Sequence, residues 1–220
     1  RAQAGASLTT AAGEYVSAGA CSDANGHFQT IGVPPSNYDV VFDDQPGPYV
    51  EQWYSGETTQ ASANAVTVTL GSVTANTNAA MIRGGTISGT VTDIASHAAL
   101  PNICAYVYTA DSNQSYAGQG CTDATGQYTS SGLATGNYNV EFGDTSGGGY
   151  LSEWWNTKPD YASANRISVT LGATPAAITA ALQPGGNIPG TVTHPVAAPS
   201  AAVVGPGPSP TGTTSPPLCT

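Results

Sequence analysis

The chain has 220 residues, 40% of them hydrophobic and only 8% charged, with a formal net charge of −10. That apolar share excludes charge-driven disorder, and the length admits one large domain or two of about 100 residues. The four basic residues, Arg1, Arg83, Lys158 and Arg166, cannot build the patch that nucleic acid or an anionic membrane requires, so neither is an expected partner. No apolar run approaches the ~20 residues of a membrane helix. The polar surface must be made of Ser, Thr, Asn, Gln and Gly, which suits an extracellular setting. Neither an initiator Met nor a secretory leader opens the chain. It is therefore expected to be a segment of a longer parent with covalently linked neighbouring domains.

In chain order, the first half returns in the second. CSDANG at 21–26 returns as CTDATG at 121–126, and NYDVVF at 37–42 as NYNVEF at 137–142, both at an offset of 100. YVEQWY at 49–54 then returns as YLSEWW at 150–155, AVTVTL at 65–70 as RISVTL at 166–171, and RGGTISGTV at 83–91 as PGGNIPGTV at 184–192, now at an offset of 101. One extra residue in the glycine-rich stretch 143–149 accounts for the shift. Self-similarity in constant order, with one insertion in a loop, marks a repeated fold. The repeat divides the chain into a first copy at 1–83 that lacks its opening strand, a complete second copy at 84–184, the start of a third at 185–193, and a Pro/Ser/Gly/Thr-rich tail at 194–220 that reads as a disordered linker or stalk.

Each copy reads as strands. Ile87, Gly89 and Val91 alternate with Thr86, Ser88, Thr90 and Thr92. Tyr138, Val140 and Phe142 alternate with polar residues, as do Ile167, Val169 and Leu171, and Ile178, Ala180 and Leu182. Period-two alternation of β-branched and aromatic residues predicts half-buried strands, and no helical period stands out. Asp23 with Gly26, and Asp123 with Gly126, predict tight turns: the Asp side chain caps the turn and the Gly takes the left-handed position. These turns lack the further acidic ligands of a calcium loop, so no metal or cofactor is expected.

In the second copy, GTISGTVTD at 85–93, LPNICAYV at 100–107, TDATGQY at 122–128 and GLATGNYNV at 132–140 together resemble the carboxypeptidase regulatory-like domain. The chain is similar too to collagen-adhesin B-type repeats. The resemblance implies an all-β fold: two tandem transthyretin-like (prealbumin-like) antiparallel sandwiches of about seven strands each. It implies an accessory role on secreted or cell-surface proteins. The neighbouring peptidase's zinc ligands and catalytic Glu have no counterpart here. Some B-type repeats carry a Lys–Asn isopeptide bond, but the only Lys, Lys158, lies in a loop after Trp155, so none is expected.

Cys104 and Cys121 bracket a predicted hairpin, and a disulfide between them is expected, with an oxidising compartment. Cys21 is the counterpart of Cys121, while the partner position falls on Ala4. Cys21 and Cys219 are accordingly expected unpaired, or bonded between chains, rather than to each other. The aromatic pairs Trp53/Tyr54 and Trp154/Trp155 occupy equivalent positions. Neighbours on a strand face opposite sides, so one of each pair can pack inward and the other meet solvent. An exposed ring suits stacking on a sugar, with Gln52, Asn156, Asp43 or Asp144 at its rim; packing at the sandwich edge is the competing role. Glu51, Glu57, Glu141, Glu153 and Asp160 are the carboxylates from which a glycosidase pair would have to come, although Glu141 reads as a solvated strand position. His27, His97 and His194 lie in or near turns and form no motif. Asn113 heads a glycosylation sequon on a loop.

These features predict no catalytic residue and no enzyme. They predict a non-catalytic extracellular or cell-surface spacer or adhesive module, with polysaccharide or surface proteins as partners. The rivals are a starch-binding-like carbohydrate-binding module using Trp53, Tyr54, Trp154 and Trp155, and a fragment of a secreted peptidase or glycosidase whose active site lies elsewhere. The spare opening strand at 185–193 suggests strand addition to the incomplete first copy.

Overall fold

In the computed structural model, residues 5–10, 15–173 and 176–191 are described, and they are all-β. Only two three-residue 3-10 turns interrupt the strands, at Gln60–Ser62 and Tyr161–Ser163. Pieces this short carry no sequence periodicity. No helix among the described residues is long and apolar enough to cross a membrane.

In the first copy, β1 (Gly5–Thr10), β2 (Tyr15–Cys21), β3 (Ser36–Asp43), β4 (Gln52–Trp53) and β5 (Val66–Val68) form one antiparallel sheet of order β2-β1-β3-β4, with β5 also on the edge of β3. The second copy repeats this sheet with β7 (Ile103–Thr109), β8 (Tyr116–Cys121), β10 (Gly136–Asp144), β11 (Glu153–Trp154) and β12 (Ile167–Val169). The registers coincide: Leu8 lies opposite Val40 as Val107 lies opposite Val140, and Ala6 opposite Phe42 as Ala105 opposite Phe142. This alignment corrects one equivalence. Gly5, opposite both Cys21 and Asp43, stands where Cys104 stands, opposite Cys121 and Gly143. The β1–β2 hairpin is one residue shorter than β7–β8, so the partner position falls on Gly5 and not on Ala4.

The second copy has a further sheet. β6 (Gly85–Asp93) is its hub, with β9 (Gln127–Leu133) antiparallel on one side and β13 (Ala176–Ala177) and β14 (Ala180–Leu182) parallel on the other. This sheet is therefore mixed. The chain crosses from β12 in one sheet to β13 in the other, and so arrives beside β6 running the same way. The β11 and β12 segments share one edge of β10, and β13 and β14 share one edge of β6, which leaves the seven strand positions of a sandwich.

Between the two sheets lies the core: Ile87, Val91, Val107, Tyr128, Leu133, Val140, Phe142 and Leu182 are at most 3% exposed. The inward members of the predicted alternations contribute to it, although Gly89 is only half-buried and one residue departs outright. Leu171, expected to follow Ile167 and Val169 inward, is 44% exposed, because β12 ends at Val169 and the chain turns away at Gly172.

Among the described residues the first copy has only its one sheet. Residues 27–33 and 75–81, which correspond to β9 and to β13/β14, form no strand. In the second copy both edge elements of the further sheet hydrogen-bond to β6 and not to each other. The first copy's buried cluster is Ala6, Leu8, Tyr38, Val40 and Phe42. The predicted stalk at 194–220 lies outside the described residues.

Candidate functional site

Three features were candidates for chemistry: the aromatic pairs, the carboxylates and the cysteines. The Trp154/Trp155 pair splits across its sheet. Trp155 packs against the sandwich core, while Trp154 lies on the outer face. Cross-strand register puts Gln119, Tyr106, Glu141 and Trp154 in one row over β8, β7, β10 and β11, with Tyr116, Tyr108 and Asn139 in the next. The Tyr108 ring lies 6.1 Å from Tyr116 and 5.6 Å from Trp154, and Trp154 lies 5.3 Å from Tyr161. Tyr161 comes from the second 3-10 turn, which its hydroxyl fastens to the sheet by donating to the Thr109 and Asp111 carbonyls at 2.6 and 3.0 Å. Asn139 is buried beneath it, its Nδ2 donating to the Tyr161 carbonyl at 3.4 Å while its Oδ1 has no partner.

The rings meet at 74°, 44° and 87°. They pack edge-on or tilted against one another and form no coplanar platform. Glu141, read from the sequence as solvated, is half-buried between Tyr106 and Trp154 on the flanking strands. Desolvation there pushes its carboxyl above the usual range. The aromatic neighbours belong to other strands, so Glu141's own alternation could not reveal them.

The first copy does not repeat this surface. Tyr54 packs against the first core, and Trp53 is half-buried opposite Val41. Ser7 and Thr9 take the positions of Tyr106 and Tyr108. Trp53/Tyr54 and Trp154/Trp155 thus sit on separate sheets. The tyrosines of the aromatic face were missed in the sequence; the signal was the departure from repetition, Tyr where the first copy has Ser and Thr.

Most aspartates anchor turns. Asp123 Oδ1 accepts from the Thr125 and Gln127 N–H at 2.8 and 3.0 Å, and Asp23 Oδ1 from Asn25 and His27 at 2.8 and 2.9 Å. Gly26 and Gly126 take φ of 88° and 75°, as the turn requires. Asp93, Asp111, Asp144 and Asp160 cap turns in the same way. All six carboxyls are held below the usual carboxylate range. The backbone N–H of His27 leads for Asp23 and that of Ser96 for Asp93; the hydroxyls of Thr109, Thr125 and Ser163 lead for Asp111, Asp123 and Asp160. For Asp144, desolvation acts upward and is outweighed by bonds from Ser146 and Tyr150. Glu141 pairs with Trp154 and Glu153 with Phe142, so the two glutamates project from opposite faces of the sheet and cannot flank one bond. Among the described residues no three His, Cys, Asp or Glu side chains cluster as metal ligands do.

Cys104 and Cys121 form the expected disulfide, directly opposite each other with Cα atoms 3.9 Å apart. It lies on the outer face of the sheet beside Thr145. The expectation of an unpaired Cys21 is corrected: Cys21 is disulfide-bonded. The residue opposite it, Gly5, carries no side chain. Cys219 lies outside the described residues.

The remaining feature is a groove beside the first copy's buried cluster. Leu8, Phe28, Tyr38, Val40, Val66 and Val68 line a groove of about 710 Å³. Ile31, Leu70 and Val73 stand on its rim at 82–86% exposure.

No family model matches the chain, and no curated protein matches it. Among solved structures, it is similar to the Bacillus anthracis TIE protein, at 16% identity and a TM-score of 0.36 over 83% of this chain. The chain spans only 31% of that protein's length. It is also similar to GBS52, the minor pilin of Streptococcus agalactiae, at 11% identity and a TM-score of 0.33 over 87% of each chain.

Proposed function

We propose that this chain is a non-catalytic accessory module of a secreted or cell-surface protein, acting as a spacer or adhesive unit built from carboxypeptidase regulatory-like repeats. Its repeats are residues 1–83 and 84–184. The observation that carries this reading is the use made of the carboxylates. Asp23, Asp93, Asp111, Asp123, Asp144 and Asp160 are committed to turns, and Glu141 and Glu153 face opposite ways. Acidic side chains spent on closing turns serve shape and not proton transfer. The Cys104–Cys121 bond supports placement in an oxidising, extracellular compartment.

The Tyr108–Trp154–Tyr161 cluster favours a second reading, carbohydrate binding, which its steep interplanar angles weigh against. One experiment separates the two. The intact chain and a folded Trp53→Ala plus Trp154→Ala variant are passed over insoluble starch, cellulose, chitin and xylan, with released sugar and peptide assayed alongside. The accessory reading expects no turnover and no retention that depends on these rings. Retention lost in the variant would replace it with carbohydrate binding, and turnover would refute the non-catalytic role.

A further inference from the structure

We propose that the outer face of the second sandwich binds a basic side chain of a partner polypeptide, an arginine, between Tyr106 and Trp154 and against the carboxylate of Glu141. The proposal rests on the adhesive reading and gives it a partner. Turnover in the polysaccharide and peptide assay would sink that reading, whereas a peptide titration reads binding alone.

The same cross-strand row runs over both sheets. In the first copy it reads Gly19, Ser7, Val41, Trp53 and Glu57. In the second it reads Gln119, Tyr106, Glu141, Trp154 and Lys158. Directly paired residues share a face of the sheet, so the members of each row stand together on the outside. Val41 shows that the fold accepts an apolar residue where Glu141 stands. Glu141 is half-buried, and among the described residues no hydrogen bond or ion pair holds its carboxylate. Desolvation lifts the carboxyl above its ordinary 4.5. A partly desolvated charge without a partner costs stability. Such a residue, at a position where the repeat does without it, points to a ligand.

The neighbours of Glu141 are aromatic. Tyr106 and Trp154 flank it from strands two apart, about 9.6 Å at the backbone. A planar group stacked between two rings needs about 7 Å, twice the carbon–carbon contact distance. The flanking rings lean apart along β10. A Cβ at Gly143 would lie 3.3 Å from Tyr106 Cε2, whereas Trp154 leans the other way, onto Tyr108 at 5.6 Å and Tyr161 at 5.3 Å. Tyr108 lies within reach of the carboxylate, whose charge adds to burial in raising its phenol. Ring faces attract a cation, and a carboxylate beside them pairs with it. Together they select a guanidinium, which is planar, stacks on rings and forks onto a carboxylate.

The described basic residues of the chain leave Glu141 to a partner. Lys158, last in the row, stands on the far side of Trp154. Arg83 is bridged to Tyr49. Arg166, exposed just before β12, makes no ion pair with Glu141. The row lies on the outer face of a sheet, so the cation arrives on a surface. Tyr116, 47% exposed, and the exposed Gln119 carry the face on beyond Tyr108 and Tyr106. Tyrosine and tryptophan gathered around one charged anchor are the make-up of a protein interface centre. The formal net charge of −10 draws a basic partner toward it.

The test titrates the 220-residue chain, carrying Trp53→Phe, with a capped Gly-Arg-Gly peptide up to about 20 mM, the range of a single anchoring contact. Capped Gly-Lys-Gly and Gly-Glu-Gly peptides run alongside, and tryptophan fluorescence is read. A saturable change is expected with the arginine peptide, a weaker one with the lysine peptide and none with the glutamate peptide. Glu141→Gln should weaken binding at least about tenfold. Glu141→Val installs the first copy's residue. It should lose binding while the Tm holds or rises, a combination that a structural role for Glu141 would not give. Absence of a saturable change overturns the proposal, as does binding that survives Glu141→Gln undiminished. A lysine peptide that binds as tightly overturns the assignment to arginine, and a lowered Tm in Glu141→Val overturns the reading of Glu141 as a charge kept for a ligand.

Discussion

Removing the Cys104–Cys121 bond by replacing both residues with Ser tests how far the second sandwich depends on it. The two cysteines are 17 residues apart. Loop-closure entropy for a ring of that length amounts to about 3 kcal/mol at 25 °C. Little native strain should accompany the change, since Cys104 Sγ already lies 3.6 Å from Thr145 Oγ1 and a hydroxyl can use that partner. For a unit of about 100 residues, 3 kcal/mol corresponds to a fall in Tm of roughly 12–24 °C. The readout must isolate the second copy. In a Trp53→Phe background the remaining tryptophans, Trp154 and Trp155, both report on it, while Cys21 keeps its own bond. Thermal and denaturant unfolding followed by tryptophan fluorescence then give the loss directly. A destabilisation below about 1 kcal/mol would refute the loop-entropy argument and indicate that the unfolded hairpin remains structured without its bond.

Gly89→Val should abolish the second sheet, because its Cβ would lie 2.0 Å from the Ile178 carbonyl oxygen; a loss above about 3 kcal/mol is expected in the same fluorescence assay. Tyr128→Phe removes the hydroxyl that donates to the Ile178 carbonyl at 2.7 Å, and should destabilise the second copy by about 1–3 kcal/mol. Burial also raises the Tyr128 phenol above its ordinary value of 10.0. Stability from the neutral phenol is therefore complete below pH 10 and lost as pH rises beyond it, so alkaline unfolding should be shallower in Tyr128→Phe. The six turn aspartates have the opposite sign. Their folded carboxyls lie below the ordinary 3.8, so their contribution is present above that pH and lost as pH falls through the lowered values. Asp123→Asn should flatten the acid limb of a stability–pH profile; an unchanged limb would show that the turn does not depend on the charge.

Much of this protein was legible in its residues alone. Period-two alternation located β6, β10 and β12, and the Asp…Gly pairs located the turns, because both rest on local backbone geometry that a few neighbouring residues determine. The spacing of Cys104 and Cys121 gave their bond. What depends on other strands was not legible. The outward tyrosines around Glu141, the pairing of Gly5 with Cys21, and the separation of Glu141 from Glu153 are products of cross-strand register, which brings together residues far apart in sequence. The role of β6 was also hidden: tertiary structure decided that it is the shared hydrogen-bonding partner of β9 on one edge and of β13 and β14 on the other, because pairing joins strands that are distant in sequence.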